Sequence, residues 1–118
     1  MTVGVGFSKK ERLLKSKDFR NVYTKGRKVS DGGTAICYLE NSLRHNRLGF
    51  SINSRNFKLA CARNKIRRLF KEVYRRSKVE LRPGFDLVLI VKRGFDKNSS
   101  YVEAERIFKV LIKKAGLV

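Results

Sequence analysis

Residues 62–76 read Ala-Arg-Asn-Lys-Ile-Arg-Arg-Leu-Phe-Lys-Glu-Val-Tyr-Arg-Arg, and the rest of the chain is understood from them. Wound at about 100° per residue, Ile66, Leu69, Phe70 and Val73 fall on one stripe, the i, i+3, i+4, i+7 spacing of a helix packed on a core. The cations fall elsewhere. Arg63, Arg67, Lys71 and Arg75 form an i, i+4 row, and Asn64 and Arg68 widen it sideways. Residues four apart are neighbours on a helix surface, so these like charges repel one another unless something negative lies over them. Glu72 is the only acid in the stretch. A solvated helix face normally mixes signs. This one is nearly all positive and mostly arginine, whose flat fork matches pairs of phosphate oxygens. The row therefore reads as a polyanion-binding surface, anchored by the apolar stripe behind it.

The whole chain carries the same bias. Its 118 residues include 29 Lys and Arg against 10 Asp and Glu, a formal charge of +19. That much self-repulsion opposes compaction and points to a polyanionic partner, with nucleic acid ahead of an anionic membrane surface. An apolar content of 42% fits a folded chain rather than a disordered basic tail. The length suits one domain, residues 1–118, with a real core and residues 1–10 as a flexible arm. No apolar run approaches the roughly 20 residues that cross a bilayer, and no signal-peptide pattern opens the chain, so the expected location is the cytoplasm. Cys37 and Cys61 lack a close CxxC pairing and His45 is the lone histidine, which argues against a zinc site and for buried or half-buried thiols.

Outward from the central helix, which should run from about Leu59 to Lys78, the elements follow from local pattern. Ser16 is a candidate N-cap and Gly26 a candidate stop for a first helix over Lys17 to Lys25. Its apolar residues Phe19, Val22 and Tyr23 again sit at i, i+3, i+4. Val22 reads as core. Phe19 and Tyr23 suit either core packing or an aromatic face shown to a ligand. Asp31-Gly32-Gly33 signals a turn, with a less certain strand before it near Val29. Thr34 to Glu40 reads as a strand, Ile36 and Tyr38 on one side, Ala35, Cys37 and Leu39 on the other. Asn41 to Asn46 is a polar connection consistent with a hairpin. Arg47 to Asn53 alternates, Leu48, Phe50 and Ile52 facing one way, Arg47, Gly49, Ser51 and Asn53 the other. Ser54 to Lys58 links into the central helix. Pro83-Gly84 breaks the chain, Phe85 to Val91 has the continuous apolarity of a strand covered on both faces, and Gly94 to Ser99 forms a loop. Ser100 with Glu103 makes a capping box for a last helix that Gly116 ends. The order is α-β-β-β-α-β-α, an α+β domain with a small, mostly antiparallel four-stranded sheet.

No protein active site emerges. The acids are scattered singly, His45 lies among polar neighbours, Ser51 has no base at an informative spacing, and no phosphate-binding glycine loop is present. The remaining chemistry is binding. Arginines can hold phosphates, and Phe19 and Tyr23 can stack on unpaired bases at about 1–3 kcal/mol each, which suits single-stranded RNA.

With these residues in hand, the chain resembles the protein subunit of bacterial ribonuclease P, from about Arg12 to the last helix. The most specific match is Arg47-Leu-Gly-Phe-Ser-Ile-Asn53 followed by Ala62-Arg-Asn-Lys-Ile-Arg-Arg-Leu-Phe-Lys-Glu72, with Lys17-Asp18-Phe19, Gly26 and Gly84-Phe-Asp-Leu-Val-Leu-Ile90 in the expected order around it. The resemblance implies a non-catalytic subunit of an RNA enzyme that removes the 5′ leader of precursor tRNA. It implies that Arg63, Asn64, Lys65, Arg67, Arg68 and Lys71 meet the catalytic RNA or line the neighbouring cleft. Arg75 extends that row. It assigns Phe19, Tyr23 and Ser51, with Arg47 and Arg55, to a cleft for the single-stranded leader. Magnesium would be bound mainly by the RNA and none by the protein alone; the partners would be the catalytic RNA and precursor tRNA, with no membrane and no further protein. A left-handed β-α-β crossover is also implied, against the general right-handed rule. Three departures stand out: Lys65 occupies the third position of an Arg-Asn-Arg signature, Lys58 stands where glycine is common, and Cys37 lies near an aromatic cleft position, with Tyr38 one residue off. The rival readings are a ribosomal or other structural RNA-binding protein, a metal-dependent nuclease using Asp86 or Asp96, and a DNA-binding helix.

Overall fold

Alternating and continuous apolar runs translate into a sheet with one half-open face and one fully covered face. The computed structural model describes residues 9–53, 59–95 and 99–118. In chain order these form α1 (Ser16–Lys25), β1 (Arg27–Asp31), β2 (Thr34–Glu40), β3 (Arg47–Ile52), α2 (Ala60–Ser77), β4 (Phe85–Val91) and α3 (Tyr101–Ala115), with 3-10 turns at Lys9–Glu11 and Lys78–Glu80. The sheet order is β1-β2-β4-β3. β1 and β2 pair antiparallel across a Gly32-Gly33 turn, β2 and β4 are antiparallel, and β3 and β4 run parallel with α2 between them in sequence. The Val29 region is thus a true strand at one edge, and β3 is the other edge.

One expectation is corrected here. Asn41–Asn46 does not close a hairpin, because β4 lies between β2 and β3. The polar residues of that connection are tied to the approach to β4 instead. Asn46 Nδ2 donates to the Arg82 carbonyl at 2.9 Å and its Oδ1 accepts from Phe85 N at 2.8 Å. Asn41 Nδ2 donates to Asp86 Oδ1 at 2.9 Å, and Asn41 N donates to the Gly84 carbonyl at 2.9 Å.

The two faces of β2 are those its alternation predicts. Ile36 and Tyr38 join the larger core under α2 and α3, with Leu48, Ile66, Phe70, Val73, Leu87, Leu89 and Phe108. Cys37, with Leu39 packed alongside, joins Leu13, Val22 and Val88 beneath α1. β4 sends residues to both clusters, which explains its unbroken apolarity. Each large side chain buried in this way contributes about 1.5–3 kcal/mol. On α2 the buried stripe is Ile66, Phe70, Val73, Tyr74 and Ser77, with Leu69 only half-buried. Tyr74 completes the stripe four residues after Phe70, and burial pushes its phenol pKa up.

The ends of the helices divide by cap chemistry. At α3, Ser100 Oγ accepts from Glu103 N at 3.3 Å, and Gly116 closes the helix at φ 73°. At α1 the N-cap is Lys15, not Ser16, and no side chain caps the first turn. Gly26 does end α1, where a β-carbon would fall 2.5 Å from the Val22 carbonyl oxygen and 2.6 Å from that of Tyr38. Of the expected arm, residues 1–8 lie outside the described residues, as does the 54–58 link; Lys9 and Lys10 belong to the first 3-10 turn. That turn is docked by Glu11, whose carboxylate meets Lys78 Nζ at 2.9 Å.

Candidate nucleic-acid interface

β3 is the floor of the site. Its edge is partly covered by the segment before α1, where Leu13 N donates to the Leu48 carbonyl at 3.0 Å and Arg12 bridges to Leu48. α1 crosses the sheet above it, and the ring of Phe19 rests on Gly49. α2 flanks the same strand from the opposite face. A cavity of about 340 Å³ opens there, lined by Arg12, Leu13, Leu14, Phe19, Leu48, Gly49, Phe50, Arg67 and Lys71. A second, more open hollow of about 480 Å³ adjoins it, lined by Leu14, Ser16, Phe19, Arg20, Tyr23, Phe50 and Ser51. Leu14, Phe19 and Phe50 line both, so aromatic and basic side chains from two helices and a strand face one groove.

The expected site residues divide into those the fold gathers and those it places elsewhere. Phe19, Tyr23, Ser51, Arg67 and Lys71 border the groove. Phe19 is half-buried, Tyr23 is 47% exposed, and their rings stand 6.4 Å apart at 45°, leaving an accessible aromatic edge. Arg67 Nη1 donates to Asn64 Oδ1 at 2.9 Å, which holds the guanidinium by one nitrogen. Among the described residues Lys65, Arg67, Arg68 and Lys71 have no carboxylate partner. Asn64 and Arg68 are exposed, and Arg63 and Lys65 half-buried, along the same helix outside the groove lining. Arg75 is different: Glu72 takes it through Nε at 3.0 Å and Nη2 at 2.5 Å, and also accepts from Arg76 Nε at 3.0 Å. These guanidiniums, Arg75 foremost, hold the Glu72 carboxyl down to about 2. Glu72, the one acid of the stretch, is thus taken up at the C-terminal end of the row, away from Arg67 and Lys71.

Arg47 is not among the residues lining these two hollows. Its Nε and Nη2 grip Asp86 at 2.7 and 2.6 Å, and its Nη1 reaches Asp18 at 3.4 Å, a pairing that raises the Arg47 pKa further, the Asp86 hydrogen bonds most of all. Arg55 and Lys58 lie outside the described residues. Cys37 is buried under α1, where desolvation raises its thiol pKa, while Tyr38 points to the α3 side and packs edge-on to Phe85 at 6.4 Å. Cys61, expected to be at least half-buried, is exposed at the start of α2. Leu14, Phe50 and Arg20 line the groove without having been singled out. Phe50 was legible only as a core-facing residue; because β3 is an edge strand, its ring reaches past the core to the opening. Among the described residues no group of three His, Cys, Asp or Glu is arranged to hold a metal ion, and no helix is long and apolar enough to cross a membrane.

A small α+β domain with an open basic and aromatic groove along one edge strand has the form of a binding protein for an extended polyanion. The comparisons with known proteins are more specific. A family model described as Ribonuclease P matches residues 7–116. The chain is 36% identical to the ribonuclease P protein component of Syntrophomonas wolfei, covering 92% of this chain and 90% of that one, and 34% identical to that of Petrotoga mobilis, covering 93% and 92%. Its fold matches an RNase P protein mutant of Staphylococcus aureus with defective mRNA degradation activity, at a TM-score of 0.83 and 26% identity over 93% of this chain and 92% of that one. The RNase P protein of Thermotoga maritima matches at 0.79 and 25% identity, over 88% and 96%. The chain belongs to the ribonuclease P protein family. Membership favours the ribonuclease P subunit over a ribosomal or other structural RNA-binding protein.

Proposed function

We propose that this chain acts as the protein subunit of ribonuclease P, holding the catalytic RNA on α2 and the 5′ leader of precursor tRNA in the groove along β3. The observation that carries the division of labour is the convergence of Phe19, Arg67 and Lys71 on one cavity. Lys65 and Arg68 on α2 face phosphates of the folded RNA; Arg67 and Lys71 lie where the two ligands meet. Phe19, Tyr23 and Phe50 offer flat apolar surface to unpaired bases, and Ser51 a hydroxyl, so the leader is gripped with little choice of sequence. Scission belongs to the RNA. Magnesium held mainly by RNA phosphates would activate the attacking water, and the protein would screen those phosphates so that less metal is needed. The Asp86 carboxylate is taken by Arg47 and Asn41, which leaves it poorly suited to a protein-held metal.

Reconstitution tests the reading. Pure protein should leave precursor tRNA intact, and cognate RNA plus protein should cleave at lower magnesium than the RNA alone. Efficient cleavage by the RNA-free protein, or no change in the magnesium requirement, would overturn it.

A further inference from the structure

We propose that Arg47 is a positioning residue rather than a leader contact: with Asp86 below and Asp18 above, it clamps the first turn of α1 to the sheet and sets the width of the groove. The inference rests on the functional reading above. Its geometry is independent of that reading. Arg47 and Asp86 are register partners on the parallel pair β3–β4, so the guanidinium reaches across one strand spacing and donates to both carboxylate oxygens. Asp86 is buried and is further fixed by Asn41. The remaining guanidinium nitrogen points up at Asp18, one residue before Phe19.

Apart from the Phe19 ring, the first turn of α1 has few other ties to the sheet. It lacks a side-chain cap, Ser16 and Lys17 are exposed, and the buried anchor of the helix is Val22, further along. Phe19 rests on Gly49 with Leu13 beside it, packed only against the margin of the small core beneath α1. Asp18 is therefore placed to decide how closely Phe19 approaches β3. A lysine at 47 keeps the charge but has one nitrogen, which cannot grip Asp86 in a fork and reach Asp18 together.

The test sets charge against geometry. Asp18→Asn removes a negative charge beside an RNA-binding groove, so electrostatics alone predicts tighter leader binding. The clamp predicts the reverse. Asp18→Asn and Arg47→Lys should each lower the preference for leader-bearing over mature tRNA by about threefold or more, and the double variant should be no worse than either single, the non-additivity of one network. The salt dependence for Arg47→Lys should be unchanged, because no phosphate contact is lost. A nuclear Overhauser contact between the Phe19 ring and the Gly49 α-protons should weaken in both variants of the free protein. Unchanged or tighter leader binding in Asp18→Asn, losses that add in the double variant, or an unaltered Phe19–Gly49 contact would overturn the clamp. A wild-type protein with no leader preference would sink the functional reading instead, and the ring contact would still judge the clamp.

Discussion

The ring of Phe19 lies directly on the backbone of Gly49: a β-carbon added to residue 49 would fall 2.5 Å from Cζ and 2.9 Å from Cε1. Gly49→Ala must therefore move the ring, and a side-chain end yields more readily than a strand. The expected stability loss is modest, about 1–3 kcal/mol as for other overpacked sites. The preference for precursor over mature tRNA should fall with it, as it should for Phe19→Ala. Paired binding titrations with the two tRNAs check both; an equal loss for both ligands would make Phe19 a core residue and nothing more.

Arg67→Ala should weaken binding to the catalytic RNA and lower the slope of log K against log salt by about 0.7–0.9, one phosphate's share. Thermal stability should stay within about 0.5 kcal/mol, because the side chain is half-exposed and its one hydrogen bond is to Asn64. Salt-series titrations together with a melting curve separate the two effects.

Glu72→Gln should act in the opposite direction. It releases Arg75 and Arg76, so RNA binding should tighten and its salt dependence steepen. The same carboxyl yields a pH prediction. Its folded pKa of about 2 lies below its ordinary value of 4.5, so its contribution to stability is complete above pH 4.5 and disappears as pH falls toward 2. Carboxyl-carbon NMR should place the Glu72 midpoint near the lower value, and a midpoint at 4.5 would show that the pair with Arg75 does not form in solution.

Phe70→Ala removes a fully buried ring that packs edge-on to Phe95 at 5.2 Å. The loss should be about 3–5 kcal/mol. RNA binding should decline in step with the unfolded fraction, so that stabilising co-solvents restore it. Denaturant melts beside binding curves provide the check; full affinity in an unfolded chain would mean that α2 binds RNA as an isolated basic peptide.

How much of this was readable beforehand differs element by element. α2 announced both its faces because a helix returns to the same side every 3.6 residues, and the pattern is local. β2 and β4 were read correctly for a related reason, since alternation or its absence reports how many faces a strand has buried. Asn41–Asn46 misled because polar residues suited to a turn look alike whether they close a hairpin or stitch a connection to a distant strand. Here the hydrogen bonds run to residues 82–86, and they were invisible until β4 was placed. The two acids that hold Arg47 were hidden for the same reason: they lie 29 and 39 positions away.

Local order in the chain was enough to establish an amphipathic basic helix, the apolar strands, and the last helix with its cap, and its charge pointed to a polyanionic partner, because periodicity and charge act over a few residues. Which strand lies beside which, that Phe50 borders the opening, that Glu72 quenches only one end of the arginine row, and that Arg47 is bound to two acids all depended on contacts between remote segments. Packing brings those segments within a few ångströms, where a carboxylate at 2.6 Å outweighs any pattern along the chain.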